Sequence, residues 1–264
     1  MPDLVISRYN EKIDWLKYVP DKYRIFLYNK GDEIEPSEAL QRVHFYMRIP
    51  NVGRETDTYL NHMLYYMNQN DSFTVFSQAD PFEHAPHFLS LLELDFTEDV
   101  WGYSTQWKQS YPPAAIIKKH LAITGKHSRD EIFSLYNWGP LYSYDWGAFQ
   151  ISHDYFSNYG VDNGTNIAHD FLYRISHFVA GDKALHASLG EFSYGAIFGV
   201  QNSIVNRIDR KILINALREV RSYNVVGYVM ERLWLHFFGR EFISISTVHE
   251  TILAETEKNA HPSL

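Results

Sequence analysis

The chain contains no cysteine, which rules out disulfides, thiolate metal sites and cysteine nucleophiles together and agrees with a reducing compartment. Long apolar runs are missing as well. No window approaches the roughly 20 apolar residues of a membrane span, and Met1-Pro2-Asp3 leads straight into Leu4-Val5-Ile6-Ser7 without the basic region and long apolar stretch of a secretory signal. Positive charge is scarce: 24 Lys and Arg stand against 32 Asp and Glu, a formal net charge of −8. The surface as a whole is therefore not built to hold phosphate backbones. The densest basic strip, Asn206-Arg207-Ile208-Asp209-Arg210-Lys211 with Arg218 and Arg221, reads first as a mixed-charge helix face in solvent. No HExxH zinc pattern, GxSxG elbow or GxxxxGK[ST] phosphate loop occurs. There is no internal repeat. A soluble, cytoplasmic protein is expected.

What is present points to an α/β domain. At 264 residues the chain can bury one full core. Leu4-Val5-Ile6-Ser7 and Arg24-Ile25-Phe26-Leu27-Tyr28 read as buried strands, with a helical face over Glu11 to Tyr18 between them and a stop at Pro20. A second unit runs from Asn51-Val52-Gly53-Arg54-Glu55-Thr56-Asp57 through a helix over Thr58 to Tyr66 into the strand Ser72 to Ser77. Two such units argue for a mostly parallel sheet flanked by helices. Further on, helices are predicted over Phe88 to Leu94, Arg129 to Leu135, Ile167 to Phe178, Arg210 to Arg221 and Tyr228 to Phe238, and a Gly-containing strand over Tyr194 to Val200. Leu141 to Gly164 reads as two aromatic, Gly-punctuated pieces, and Trp101 to Pro113 as irregular. The expected organisation is one domain over residues 1–255, with a helical or irregular insertion at 81–140 and a polar tail at 256–264. The 19 Tyr, 17 Phe and 6 Trp belong either to an aromatic-rich core or to wet positions where rings stack on sugars or bases.

Chemistry concentrates at strand ends. The strand after Ser72 runs directly into Gln78-Ala79-Asp80-Pro81-Phe82-Glu83-His84, and open α/β sheets bind ligands outside the carboxyl ends of their strands. Asp80 with Glu83 or His84 could hold a divalent cation on a diphosphate; alternatively Asp80 caps the following helix and His84 is an ordinary surface histidine. Arg8 and Arg54 are candidates to grip a diphosphate in bidentate geometry. Their competing roles are salt bridges, Arg8 with Glu11 or Asp14 and Arg54 with Glu55 or Asp57. Tyr9 and Asn10 are placed to contact a base or ribose. For acid–base work Asp145 in Tyr144-Asp145-Trp146-Gly147 and Glu191 in Gly190-Glu191-Phe192 lie beside aromatic rings that raise a carboxyl pKa and stack on sugars; neither outranks the other. Glu231 either reaches the acceptor or pairs with Arg232 as a structural ion pair. His84-x-x-His87 and the pair His169 and His177 lack the supporting ligands of a zinc site.

Several of these segments resemble a known pattern. Val5-Ile6-Ser7-Arg8-Tyr9-Asn10-Glu11 with Trp15-Leu16, Leu27-Tyr28-Asn29-Lys30-Gly31, Asn51-Val52-Gly53-Arg54-Glu55 with Thr58-Tyr59-Leu60, Val75 to Phe82, Gly195 to Val200 and Tyr228 to Trp234 are similar to a family of fungal and microbial proteins of unknown function and, more distantly, to nucleotide-sugar glycosyltransferases of the GT-A type. The matching pieces leave roughly the middle third uncovered. The resemblance implies a GT-A-like, Rossmann-like α/β domain whose first strand and following loop hold the nucleotide. It also implies a carboxylate motif after a later strand that binds Mn or Mg. Donor contacts are then expected from Ser7, Arg8, Tyr9, Asn10, Asn51, Gly53, Arg54 and Gln78, metal ligands from Asp80 and His84, and catalysis from Asp145, Glu191 or Glu231. Gln78-Ala79-Asp80 departs from the family's two acids around one residue by offering one.

The implied function is transfer of a sugar, from UDP-sugar or a related donor, to an acceptor hydroxyl. That acceptor would be a glycan, a lipid-linked sugar, a small metabolite or a hydroxymethylated base in viral DNA. An inverting transfer would use one of the acids as base, whereas a retaining one need not. The rival expectations are a carbohydrate-binding protein of the same fold without catalysis, and a metal-dependent hydrolase using Asp80, His84 and His87.

Overall fold

Apolar residues at every position, rather than at alternate ones, mark strands buried on both faces, and the two strongest such runs pair with each other. In the computed structural model, which describes residues 1–67, 72–95, 97–104, 131–141, 145–246 and 248, Asp3–Arg8 forms β1 and Arg24–Asn29 forms β2. They run parallel, with Leu4 opposite Ile25 and Ser7 opposite Tyr28. The predicted crossover helix is a single 3-10 turn over Asp14–Tyr18. It is held in place by buried Leu16 and by Trp15, whose Nε1 donates to the Ala79 carbonyl at 2.8 Å.

Ser37 caps a short helix α1 (Glu38–Gln41), which leads into β3 (Val43–Arg48). Sequence reasoning missed β3. Its side chains alternate between half-buried Val43, Phe45 and Met47 and exposed His44, Tyr46 and Arg48, the signature of an edge strand. Next come α2 (Arg54–Tyr65), β4 (Phe73–Gln78), α3 (Phe88–Leu92) and β5 (Val100–Gly102). The helix predicted over Arg129 to Leu135 is instead strand β6 (Glu131–Ser134). Its partner decides this: β6 pairs antiparallel with β7 (Leu189–Phe192), Glu131 opposite Phe192, a contact that local periodicity cannot report.

Helix α4 (Trp146–Tyr159) occupies the region read as aromatic pieces. The predicted Ile167 to Phe178 helix splits into α5 (Ile167–Arg174) and α6 (Phe178–Leu185), because Ser176 adopts φ 67° between them. The strand predicted over Tyr194 to Val200 begins late. Gly195 at φ 67° makes a 3-10 turn of Tyr194–Ala196, and β8 is Phe198–Gln201. Helices α7 (Asn202–Val205), α8 (Arg210–Ser222) and α9 (Val225–Phe237) follow. The expected tail at 256–264 and residues 105–130 of the expected insertion lie outside the described residues.

The central sheet has six strands in the order β3-β2-β1-β4-β8-β5. The first four are parallel, β8 is antiparallel to β4, and β5 is antiparallel to β8. Helices flank it, and the architecture is α/β, compatible with a Rossmann-like fold. Two cores result from the period of two along each strand. Val5, Phe26, Tyr28 and Phe76 join Tyr59 of α2 and Trp234 of α9 on one face, while Leu4, Ile6, Ile25, Leu27 and Val75 meet Leu16 and Phe88 on the other. Among the described residues many large rings are core: Trp138, Trp234, Tyr23, Tyr28, Tyr59 and Tyr155 are fully buried. Among the described residues no helix is long and apolar enough to cross a membrane.

Candidate functional site

The chain lays down β1, β2 and β3 in one direction and then returns to place β4 on the other side of β1. Such a reversal opens a crevice at the carboxyl ends of the two central strands. Here those ends are Ser7 and Gln78, which are register partners, and the Ala79 amide donates to the Ser7 carbonyl at 2.9 Å. The loop after β1 and the turn after β4 are therefore neighbours. Helix α2, which follows β3, begins at the same edge.

The residues after β1 are largely committed to shaping their own loop. Ser7 Oγ bonds Thr58 Oγ1 of α2 at 2.9 Å. Arg8 is buried; its Nε donates to the Glu11 carbonyl at 2.9 Å, and its Nη1 to Asn29 Oδ1, the Tyr9 carbonyl and the Asp32 carbonyl at 2.7, 3.0 and 3.1 Å. It meets carbonyls of its own loop, of Asn29 and of Asp32, where a diphosphate grip was expected and salt bridges to Glu11 or Asp14 were the alternative. Asn10 Oδ1 accepts from the Asp32 amide at 2.8 Å, and the half-exposed Tyr9 donates its amide to Glu11 Oε2. Gly31 is required here, since a Cβ would come 1.8 Å from the Tyr9 carbonyl oxygen.

The start of α2 is tighter. Asn51 is exposed, Gly53 and Arg54 both take left-handed φ values of 62° and 51°, and Gly53 precedes the first helical turn. The Arg54 guanidinium lies over the Tyr228 ring at 4.1 Å with Nε 3.6 Å from Glu55 Oε1. Lys30, at the end of β2, anchors this segment: its ammonium donates to the Val52 carbonyl at 2.6 Å and to the Arg54 carbonyl. Burial lowers the Lys30 pKa to about 8, against the pull of Asp57 and Glu55. Asp57 is itself buried and paired with Arg221 of α8 at 2.6 Å.

Across the crevice, Gln78 Nε2 donates to the Asp80 carbonyl at 3.0 Å, and the exposed Asp80 turns Oδ1 back to the Phe82 amide at 3.4 Å. The His84 ring stacks on Tyr194 with centroids 5.5 Å apart. Gly195 sits against both, since a Cβ there would meet His84 Cδ2 at 2.8 Å and Gln78 Nε2 at 2.9 Å. Its amide donates to Glu231 Oε1 at 3.1 Å. Gln78, His84 and Glu231 thus converge on Gly195. Among the described residues no group of three or more His, Cys, Asp or Glu side chains is arranged to hold a metal ion, Asp80, His84 and His87 included.

The other two acids have different surroundings. Asp145 caps α4 through Ala148 N at 3.1 Å and reaches Arg232 Nη2 at 3.4 Å. Arg232 is buried over the Phe192 ring at 4.6 Å, and Phe192 touches Tyr194 with centroids 4.5 Å apart. Asp145 is therefore joined to the His84 side of the crevice through packed rings, and Arg232 pairs with Asp145, whereas an ion pair with Glu231 was one of the two alternatives for that residue. Glu191 is buried in β7, Oε2 3.6 Å from Arg240 Nη1, and its amide donates to His236 Nε2 at 2.9 Å. Its contacts belong to the small sheet and the end of α9.

Sequence reasoning gave Lys30, Tyr59 and Tyr228 no role at the site, and named Glu55 and Arg232 only as ion-pair partners. The one available signal was glycine: Gly195 and Gly199 both mark close approach, with a Gly199 Cβ falling 2.3 Å from the Trp101 ring. The chain matches no family model, and no curated protein matches it.

Proposed function

We propose that the chain is a GT-A-like glycosyltransferase that moves a sugar from a nucleotide diphosphate donor to an acceptor hydroxyl. The observation that carries this reading is the pairing of Ser7 with Gln78, which sets the loop after β1 beside the turn at Asp80 at a switch point, with the start of α2 on the same edge. A diphosphate leaving group needs positive charge where its own charge grows. Arg54, with a side chain 40% exposed, and the first-turn amides of α2 supply it. The residues do not fit a cation caged by the chain alone, since Asp80 offers a single carboxylate and His84 is stacked on Tyr194.

In the transfer, Glu231 takes the proton of the acceptor hydroxyl, and the acceptor oxygen bonds the anomeric carbon. The bond from that carbon to the diphosphate oxygen breaks, and its electron pair leaves on the diphosphate. Exposed Trp146 and Phe149, stacked with centroids 5.6 Å apart beside Asp145, suit a sugar face. The basic strip does not favour nucleic acid as acceptor: Arg207 donates to the Ser203 carbonyl, Arg210 to the Leu64 carbonyl and Arg221 to Asp57.

A panel of nucleotide sugars scored by thermal shift tests the reading, with and without manganese. A ligand at a hundred times its Kd stabilises the folded form by about 2.7 kcal/mol, so at least one donor should raise Tm, and the shift should persist in EDTA. No shift with any donor in either condition would overturn the proposal. A shift without turnover would favour a non-catalytic sugar-binding protein.

A further inference from the structure

Among the described residues Val179 is the most exposed large apolar side chain, at 71%, and its neighbour Phe178 is 52% exposed. Both open α6, just after the turn at Ser176, and the Phe178 ring meets the exposed Tyr173 ring of α5 edge-on with centroids 5.2 Å apart. One turn along α6 from Val179 stands the exposed Lys183.

Helix α8 reaches the same turn. Its Asn215 Nδ2 donates to the Ile175 carbonyl at 3.2 Å and to Ser176 Oγ at 3.3 Å. Lys211, Ile214 and Arg218 share that face of α8 with Asn215 at helical spacing. Ile214 is 39% exposed, and the side chains of Lys211 and Arg218 are exposed with no hydrogen bond or ion pair among the described residues. Residues 207–221 carry five cations against two acids in a chain of net charge −8. The acids near this surface are already engaged: Asp170 with Arg174, Asp182 with the Tyr173 hydroxyl and Glu219 with the Tyr159 hydroxyl.

We propose that this joint surface of α5, α6 and α8 docks the protein on an anionic lipid bilayer. Phe178, Val179 and Ile214 dip between the headgroups, while Lys183, Lys211 and Arg218 meet the negative charge of the lipids. Exposed apolar groups gathered in one place mark an interaction surface, and apolar side chains set beside cations match a negatively charged interface in both respects. A second copy of the chain is a poor occupant, since a two-fold contact would set Lys211 and Arg218 against their own like charges. Nucleic acid would use the cations and leave Phe178, Val179 and Ile214 without a purpose. None of the docking residues lines the crevice, so the inference does not depend on the transferase reading.

Sedimentation of the full chain with vesicles tests it. The chain should bind vesicles of equimolar phosphatidylserine and phosphatidylcholine and leave vesicles of phosphatidylcholine alone in place. Binding at about 0.1 M salt should be mostly lost at about 1 M, where the Debye length falls from about 10 Å to about 3 Å. Each cation at an anionic surface strengthens binding roughly fivefold, so Lys211→Gln combined with Arg218→Gln should weaken it roughly 25-fold. Phe178→Ser combined with Val179→Ser should weaken it about tenfold or more. Lys12→Gln combined with Lys17→Gln, exposed cations of another element, should bind as the wild type does. No binding to the anionic vesicles, equal binding to the neutral ones, or unchanged binding by the Gln pair on α8 or by a folded Ser pair would each overturn the proposal. So would an equal loss in the Lys12 and Lys17 variant, or capture by heparin without vesicle binding, which would assign the cations to a soluble polyanion. The α8 substitutions lie at exposed helical positions and keep the fold, so they decide the outcome even where the Ser pair folds poorly.

Discussion

At the scale of single residues, Arg54 carries the strongest demand. A non-glycine residue in the left-handed region costs roughly 1–2 kcal/mol, and Arg54 sits there at φ 51° with its aliphatic stem pressed on Gly227, where a Cβ would meet its Cδ at 2.9 Å. Strain of this kind persists where the surroundings enforce it, and it clusters at ligand clamps. Arg54→Gly removes the strain and also the Tyr228 contact, which is worth about 0.5–1 kcal/mol at an exposed site. Stability measured in urea should therefore stay within about 1 kcal/mol of wild type. Donor affinity by titration calorimetry should fall about tenfold or more, the loss of one charge-assisted contact. A variant that binds as tightly as the wild type would remove Arg54 from the site.

Elements tell a different story, because a single side chain here often joins two of them. Asp145 caps α4 and also faces Arg232 of α9, which is 3% exposed. Losing the cap costs about 0.5–2 kcal/mol and leaves the buried guanidinium without its carboxylate, so Asp145→Ala should destabilise by about 2–3 kcal/mol. Asp145→Asn keeps the cap, and the difference between the two variants in urea denaturation separates cap from ion pair. Equal losses would show that the pair contributes everything. The same doubling of roles explains what was legible. Strands β1, β2 and β4 and helices α2, α8 and α9 could be read because apolar runs and helical spacing are written in consecutive residues. Strands β3 and β6 could not, since their identity comes from partners far along the chain, Arg24–Asn29 for the first and Leu189–Phe192 for the second.

For the whole molecule, two buried histidines shape how it responds to acid. His62 is buried on α2, with Nδ1 3.0 Å from the Tyr28 hydroxyl, and His236 is buried on α9; burial pushes both down to about 3 from the usual 6.5. Between those values the unfolded chain takes up protons that the folded one refuses. Stability therefore falls as pH drops through that window, by up to ~1.4 kcal/mol per pH unit for each histidine. Urea midpoints measured from neutral pH to pH about 3 should decline, and His62→Gln should flatten part of the slope; an unchanged slope would show that His62 takes up its proton alike in the folded and the unfolded chain.

The candidate site follows the same division between local and global information. Residues 7–10, 51–54 and 78–84 were marked out by their place at strand ends and helix starts, and that much is local chemistry. Whether the loop after β1 would lie beside the turn after β4, and whether Arg8 would face a ligand or its own loop, depended on strand order and helix packing. The amino-acid order alone determined the apolar runs, the turns and the residues rich in chemistry. Only the tertiary structure decided which of them share a crevice, because neighbours across a sheet or between two helices are selected by burial of whole faces, and no window of consecutive residues records that choice.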